Sequence, residues 1–347
     1  MRVLAIETSC DETSAAVVSR DGDLVSLEGL TVLSQDIHRI FGGVVPELAS
    51  RAHLTVIDSV VDDALSQAGI AIGAIEGIAV TRGPGLLGAL LVGVTWARTL
   101  AWREQLPIIG VHHLEGHLFA ATLEDPSVRP PFTALLVSGG HTLLLDVPAW
   151  GEYQLLGETR DDAAGEAFDK VGSLLGLDYP AGAALEHLAA TGSPRKFIFP
   201  RPLLAGSHEP VSYEFSFSGL KTAVLRAVQR SDDLARDRAD IARGFQDAAV
   251  DVLAAKTAAA RAAFDRRLVV LGGGVACNRA LAAAMRVALG RDAAVAVASP
   301  RLNTDNAAMI AAAGSWRLAR GERSSLDLDA RDALALPGLI PIRGVTA

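Results

Sequence analysis

One local pattern occurs twice in this chain and constrains its fold more than any other feature: an apolar strand, a small polar turn, and a second apolar strand. The first copy runs Val3-Leu4-Ala5-Ile6, then a turn over residues 7–14 rich in hydroxyls and acids, then Ala15-Ala16-Val17-Val18. The second, half a chain later, runs Ala134-Leu135-Leu136-Val137, then Ser138-Gly139-Gly140-His141-Thr142, then Leu143-Leu144-Leu145. A repeated supersecondary unit points to duplicated lobes. Around the hairpins, strand and helix patterns alternate, which argues for α/β architecture. Apolar runs predict strands at 77–80, 106–111, 268–271 and 295–298, and helices over 86–103, 279–289 and 306–318. Leu54, Ile57, Val61, Ala64 and Leu65 form a stripe at helical spacing. Residues 47–68 therefore read as a helix whose apolar side is either core or a docking face. Glu124, Asp125, Pro126, Ser127, Pro130 and Pro131 cluster at a break in the pattern. The expected division is a lobe over 1–127, a second lobe over 128–323, and a loosely lying tail over 324–347.

Composition narrows the function classes. A chain of 347 residues that is 50% hydrophobic has ample material for two packed lobes. Cys10 and Cys277 are the only cysteines, too few for a disulfide framework, so a reducing cytoplasm is expected. The longest weakly polar stretch, residues 83–97, is shorter than the ~20 residues that span a bilayer, and the N-terminus lacks the layout of a signal peptide. A net charge of -8 argues against a protein that coats nucleic acid. Locally, residues 191–230 carry Arg195, Lys196, Arg201, Lys221, Arg226 and Arg230 against Glu209 and Glu214. This is either a basic patch or an ordinary solvated surface.

Several motifs carry candidate chemistry. His113 and His117 are four residues apart, which on a helix sets both imidazoles on one face. With Asp305 brought in by the fold, two His and one carboxylate would suit a first-row divalent metal; the competing reading is a helix with two incidental histidines. The segment is not the H-E-x-x-H of a metalloprotease. Glu115 follows His113 by two residues rather than one, about 100° further around the helix. Asp11 and Glu12 in the first hairpin turn are candidates to hold a metal or a proton. In the second turn, the paired glycines of Ser138-Gly139-Gly140 let backbone N–H groups approach an anion, or simply make a tight turn. Gly272-Gly273-Gly274 joins a strand to a helix, a layout that binds nucleotides at helix N-termini, with Asn278 on the first turn as a ribose or phosphate contact. Residues 161–170 are acidic and either functional or helix-capping. Ser216-Phe217-Ser218-Gly219-Leu220-Lys221-Thr222 fits a phosphate or RNA contact, or a plain loop.

These segments together resemble the universal tRNA threonylcarbamoyladenosine transferase family in its bacterial form. The matching stretches are Ile6-Glu7-Thr8-Ser9-Cys10-Asp11-Glu12-Thr13, Gly42-Gly43-Val44-Val45-Pro46-Glu47-Leu48-Ala49-Ser50-Arg51 and Gly83-Pro84-Gly85-Leu86. They continue with His112-His113-Leu114-Glu115-Gly116-His117, Leu136 through Thr142, and residues 161–169. Phe215 through Thr222, Gly272-Gly273 with Val275, Asn278 and Arg279, and Thr304-Asp305-Asn306 complete a series in the family's order over about residues 1–320.

The resemblance implies an actin-like, sugar-kinase-like (ASKHA) α/β fold of duplicated RNase H-like lobes with a nucleotide cleft between them. It implies an acyltransferase that moves a threonylcarbamoyl group from threonylcarbamoyl-AMP to N6 of the adenosine beside the anticodon, in tRNAs reading codons that begin with A. His113, His117 and Asp305 would bind one metal, Fe(2+) by resemblance with zinc as the second option. Leu136, Val137, Ser138, Gly139, Gly140, Asp169, Gly182 and Asn278 would bind the adenylate. The general base is not assigned by the resemblance; Asp11 and Glu12 are the candidates. Implied partners are tRNA, a paralogous bacterial protein (TsaB) and a small ATPase (TsaE), without a membrane. The chain departs from the family pattern at Ala181-Gly182-Ala183-Ala184, where Gly-Gly-Pro is usual, in a short insertion at residues 205–212, and in a C-terminus without the usual aromatic-Pro end. The alternatives are an ATPase or kinase of the actin-like superfamily and a non-catalytic nucleotide-binding scaffold. The His/His/Asp set separates them, because sugar kinases do not need it and a degenerate paralogue would be expected to lose it.

Overall fold

The structure, a computed structural model, describes residues 1–204 and 212–342; the insertion noted above lies, except for Ser212, outside them. The chain forms two compact units: Met1–Arg129 with Ala298–Pro337, and Pro130–Val297 with Gly338–Ala347.

The first unit opens with β1 (Arg2–Glu7), β2 (Glu12–Asp21) and β3 (Leu24–Ser34). Then come α1 (Pro46–Ala68), β4 (Gly77–Gly83), α2 (Leu87–Glu104), β5 (Ile108–His112) and α3 (His113–Ala120). Its sheet has the order β3-β2-β1-β4-β5. The first three strands are antiparallel neighbours, and β4 and β5 continue the sheet in parallel from β1. The second unit comprises β6 (Phe132–Val137), β7 (Thr142–Ala149), β8 (Glu152–Glu158), α4 (Ala164–Leu174) and α5 (Gly182–Ala190). It continues with α6 (Ser218–Arg230), α7 (Leu234–Ala263), β9 (Leu268–Gly272), α8 (Arg279–Leu289) and β10 (Ala294–Val297). Its sheet order is β10-β9-β6-β7-β8, the same plan: an antiparallel meander followed by two parallel strands. The duplication read from the two hairpins therefore extends over both whole sheets.

The acid-rich turn is shorter than expected. Glu7 ends β1 and Glu12 begins β2, leaving residues 8–11 as the turn. Thr13 and Ser14 sit inside the strand because their hydroxyls are satisfied there: Ser14 Oγ donates to the Thr31 carbonyl at 2.8 Å, and Thr13 Oγ1 lies 2.8 Å from His53 Nδ1. On α1, Ile57, Val61, Ala64 and Leu65 are buried as the stripe predicts, but Leu54 is 70% exposed.

The chain then returns to the first unit through α9 (Pro300–Asn303) and α10 (Ala307–Ala319). This corrects the expected 128–323 lobe. The reason lies in α10 itself, where Ala307, Ala308, Met309, Ile310, Ala311, Ala312 and Ala313 are all 0% exposed. A helix apolar all round must be enclosed, and α10 packs against β1, β2, β4 and α3. Its small residues allow close approach: a Cβ on Gly314 would stand 2.3 Å from the Cβ of Ala79 on β4. The tail is also not loose. Ser324 N donates to the Ile108 carbonyl at 2.8 Å and Arg331 N to the Arg82 carbonyl at 2.7 Å. Leu328 and Ala330 belong to the first unit's core.

Candidate metal centre and adenylate loops

Strand β5 ends at His112, which caps the helix that follows. Leu114 N donates to His112 Nδ1 at 3.2 Å, and His112 Nε2 is left to donate to the Leu334 carbonyl at 3.0 Å. The cap fixes the start of α3, so His113 and His117 project one turn apart on one face, their ring centroids 4.9 Å apart and nearly perpendicular. Asp305 arrives from the α9–α10 connection. Asn306 follows it, fully buried, and caps α10 by accepting from Met309 N while donating to the Leu302 and Thr304 carbonyls. That knot fixes the backbone on which Asp305 sits.

Asp305 Oδ1 lies 3.5 Å from His113 Nε2 and 3.3 Å from His117 Nε2. One ligand atom from each of the three residues can be chosen within 4.8 Å of the others. Neither ring nitrogen of His117 finds a hydrogen-bond partner among the described residues, although the side chain is buried. Buried polar atoms are ordinarily satisfied; an unpartnered imidazole nitrogen aimed at a carboxylate and a second imidazole fits a divalent cation. Around the triad, Glu7 Oε2 faces His113 Nδ1 at 3.1 Å and accepts from Thr81 Oγ1 at 2.6 Å, while Glu7 Oε1 accepts from Ser9 N at 2.5 Å. A carboxylate on the far nitrogen is the usual support for a metal-binding imidazole.

The electrostatics agree. Burial alone would raise Asp305, but His113 and His117 hold it well below the usual carboxylate range. Burial would lower His113, yet Asp305 and Glu7 raise it well above its ordinary value. Burial, then Asp305 and Asp11, push the carboxyl of Glu12 well up. Asp11 lies in the hairpin turn and Glu12 at the first position of β2, both half-buried. Glu115 points away from the triad and pairs with Arg317, as the helix-wheel argument against a metalloprotease requires.

In the second unit, Leu136 and Val137 are buried in β6, and Ser138, Gly139 and Gly140 form the β6–β7 turn. The Ser138 carbonyl accepts from Gly165 N at the start of α4. Gly139 and Gly140 face open space. Asp169, one turn further along α4, accepts from Ala181 N at 2.8 Å and so anchors the start of α5, where Gly182 stands with open space around it. Asn278 caps α8 by accepting from Leu281 N at 3.1 Å, and donates to Gln246 Oε1 at 2.9 Å. Its amide is thus engaged within the protein at both ends.

Two other motifs explain one another. Asp161 caps not its own helix but α6, accepting from Ser216 Oγ, Phe217 N and Ser218 N, and Asp162 pairs with Lys221. Half of the local basic residues are matched by acids: besides Lys221, Lys196 bonds Asp240 and Asp237, and Arg201 bonds Asp251. Sequence reasoning did not pick out Glu7 as the support for His113. Its signal was an acid at the end of a buried strand.

Comparison with known proteins agrees with this geometry. The sequence profile of the family TsaD: tRNA N6-adenosine threonylcarbamoyltransferase matches residues 27–312. A tRNA N6-adenosine threonylcarbamoyltransferase of Gemmatimonas aurantiaca is 58% identical, over 98% of this chain and 98% of the relative. Among solved structures, T. kodakarensis HypF is similar over 92% of this chain and 48% of its own, with a TM-score of 0.62 at 14% identity. Component A of the Acidaminococcus fermentans (R)-2-hydroxyglutaryl-CoA dehydratase is similar over 90% and 96%, with a TM-score of 0.52 at 15% identity. The structural likenesses establish the actin-like (ASKHA) fold.

Proposed function

The chain belongs to the tRNA N6-adenosine threonylcarbamoyltransferase family and is a tRNA-modifying transferase, and we propose that it carries threonylcarbamoyl from threonylcarbamoyl-AMP to N6 of the adenosine beside the anticodon in tRNAs reading A-starting codons. The observation that carries this reading is the convergence of His113, His117 and Asp305, with neither nitrogen of His117 hydrogen-bonded among the described residues, in a chain of this family. These three would hold one divalent metal, Fe(2+) with Zn(2+) as the alternative. When bound, it would supply a Lewis acid toward the carbonyl oxygen of the transferred group.

The chain's own residues account for the rest. Glu7 holds the proton of His113 on Nδ1 and leaves Nε2 free as a ligand. The backbone N–H groups of Gly139 and Gly140, with open space beside them, suit the phosphate of the AMP leaving group. We assign Leu136, Val137 and Ser138, which lead into that turn, with Asp169, Gly182 and Asn278 to binding of the same adenylate. Asp11 and Glu12 are the candidates to take the proton from the N6 amine.

A groove between α1 and α2 of about 700 Å3 is lined by Ile57, Val61, Val92 and Trp96 and rimmed by the exposed Leu54 and Leu91. It is the face we assign to the paralogous partner, with the small ATPase completing the set. Among the described residues no helix is long and apolar enough to cross a membrane, and a cytoplasmic location fits a tRNA substrate. The test is mass spectrometry of nucleosides from unmodified tRNA incubated with threonylcarbamoyl-AMP, the bacterial partners, and either this protein or its His113→Ala variant. Threonylcarbamoyladenosine from the first alone supports metal-dependent transfer. None from metal-loaded wild type, with the partners present, overturns it.

A further inference from the structure

The metal-binding reading needs α3 and α10 to keep a fixed relation, because α3 carries both imidazoles and the start of α10 follows Asp305. Besides the ring contact of Phe119 with Trp316, two contacts bear on that relation. Gly116, between the two histidines, lies flush on α10; a Cβ there would stand 2.8 Å from Ile310 Cδ1 and 3.1 Å from Met309 Cγ. This seats α3 on the first turn of α10. The second contact lies two turns further along. Glu115, fully buried, accepts from Arg317 Nε at 2.8 Å and Nη2 at 2.7 Å, and Arg317 Nη1 reaches Glu322 at 2.5 Å. A two-pronged carboxylate–guanidinium pair fixes direction as well as distance. A seat and a clamp two turns apart along α10 bear on the orientation of a helix only eight residues long.

We propose that the Glu115–Arg317 pair is a positioning device for the metal centre: it holds His113 and His117 in register with Asp305 without touching any of the three. The proposal rests on the metal reading above. It also explains why a glutamate stands inside the His-x-x-x-His segment although it faces away from the triad.

A buried pair of the same kind in the other unit provides the control. Asp146, fully buried on β7, accepts from Arg266 Nε at 2.6 Å and Nη2 at 2.7 Å. Glu115→Gln and Asp146→Asn each remove one charge from a two-pronged buried pair. Apo forms of both variants and of wild type are titrated with Zn(2+) against a chromophoric chelator. Their Co(2+) forms are recorded by visible absorption, and thermal unfolding is followed by circular dichroism. The expected result is that both variants lose thermal stability, but only Glu115→Gln weakens metal binding, by about tenfold, the low end of what outer-shell changes cost, and alters the Co(2+) bands. Metal affinity and bands unchanged in Glu115→Gln, or changed equally in Asp146→Asn, overturn the proposal. Wild type that binds no divalent ion overturns the metal reading with it, so the two failures are told apart.

Arg317→Lys, which keeps the charge and loses the fork, replaces Glu115→Gln where that variant yields no folded protein. A variant that folds only with metal present counts in favour. Failure of both to fold with or without metal, while Asp146→Asn folds, counts against.

Discussion

Glu7→Gln changes no shape and removes one charge, yet it should cost the metal centre most of its affinity. The carboxylate accepts from Ser9 N at 2.5 Å through one oxygen, and faces Thr81 Oγ1 at 2.6 Å and His113 Nδ1 at 3.1 Å through the other. For His113 to offer Nε2 as a lone pair, its proton must sit on Nδ1 and point at Glu7. A glutamine has only one accepting end. If its oxygen serves Ser9, its NH2 faces Thr81, whose hydroxyl turns to accept, and the Nδ1–H of His113, which cannot. The imidazole then either turns its proton to Ser9 Oγ, 3.2 Å from Nδ1, or shifts it to Nε2 and ceases to be a ligand. In the opposite rotamer the NH2 meets Ser9 N–H instead, inside the turn that carries Asp11. Either way one buried hydrogen bond is lost, about 1–3 kcal/mol. At about 1.4 kcal/mol per factor of ten, the rotamer facing His113 predicts roughly 10–100-fold weaker metal binding, in line with other outer-shell changes. The assay is chelator competition with Zn(2+) on apo protein, with thermal unfolding of the apo form as the check on folding. Folded Glu7→Gln protein whose dissociation constant lies within about threefold of wild type would refute the claim that the Glu7 carboxylate is what sets the His113 tautomer.

Three further outcomes follow from the packing. Gly314→Ala places a methyl 2.3 Å from Ala79 Cβ and 3.2 Å from Val111 Cγ2, so α10 must lift from the sheet. Urea denaturation should show a loss of about 1–3 kcal/mol, and an unchanged midpoint would contradict the close approach. Leu54→Asp, at a 70% exposed position, should shift stability by no more than about 0.5 kcal/mol while abolishing co-elution with the paralogous partner; retained co-elution removes α1 from the docking face. Asn278→Ala loses the α8 cap, about 1 kcal/mol, and strands Gln246, about 1–3 kcal/mol more, so calorimetry should show a clearly lowered Tm. A Tm equal to wild type would mean that Asn278 is held for a ligand rather than for the fold.

Much of the architecture was legible because burial on both faces leaves continuous apolar runs. β1, β4, β6 and β9 are of this kind, and so were found. The third strand of each meander, β3 and β8, was not. Both mix polar and apolar residues; Leu33 at the end of β3 is 45% exposed, and the register of β8 on β7 is interrupted twice. Helix α10 was found as a helix but given to the wrong unit, because a uniformly buried helix records that it is enclosed, not what encloses it. At the site, His113 and His117 could be paired from spacing alone, since one helix presents both. Nothing local joined them to Asp305, whose place depends on how α10 packs. Only the family's ordered motifs supplied that link.

The two units also share a contact that the sequence displayed without its meaning being evident. In the first, the loop leaving β4 crosses the β1–β2 turn so closely that a Cβ on Gly85 would stand 2.6 Å from the Ser9 carbonyl oxygen, and Leu86 N donates to that same oxygen at 2.8 Å. In the second, the loop leaving β9 crosses the end of β6, and a Cβ on Gly273, at φ +92°, would stand 2.4 Å from the Val137 carbonyl oxygen. β4 and β9 hold the same topological place, parallel beside the first hairpin strand. A chain leaving either strand must therefore pass the hairpin turn at backbone distance, which only glycine allows. Gly83-Pro84-Gly85 and Gly272-Gly273-Gly274 are thus the same structural element, and Gly273 of the second answers first to packing. What distinguishes the units is the turn each loop supports: Ser9, beside His113, on one side, and the open Gly139 and Gly140 on the other. One scaffold, used twice, has been given an acidic turn next to the His/His/Asp cluster in one unit and a backbone-lined turn suited to a phosphate in the other.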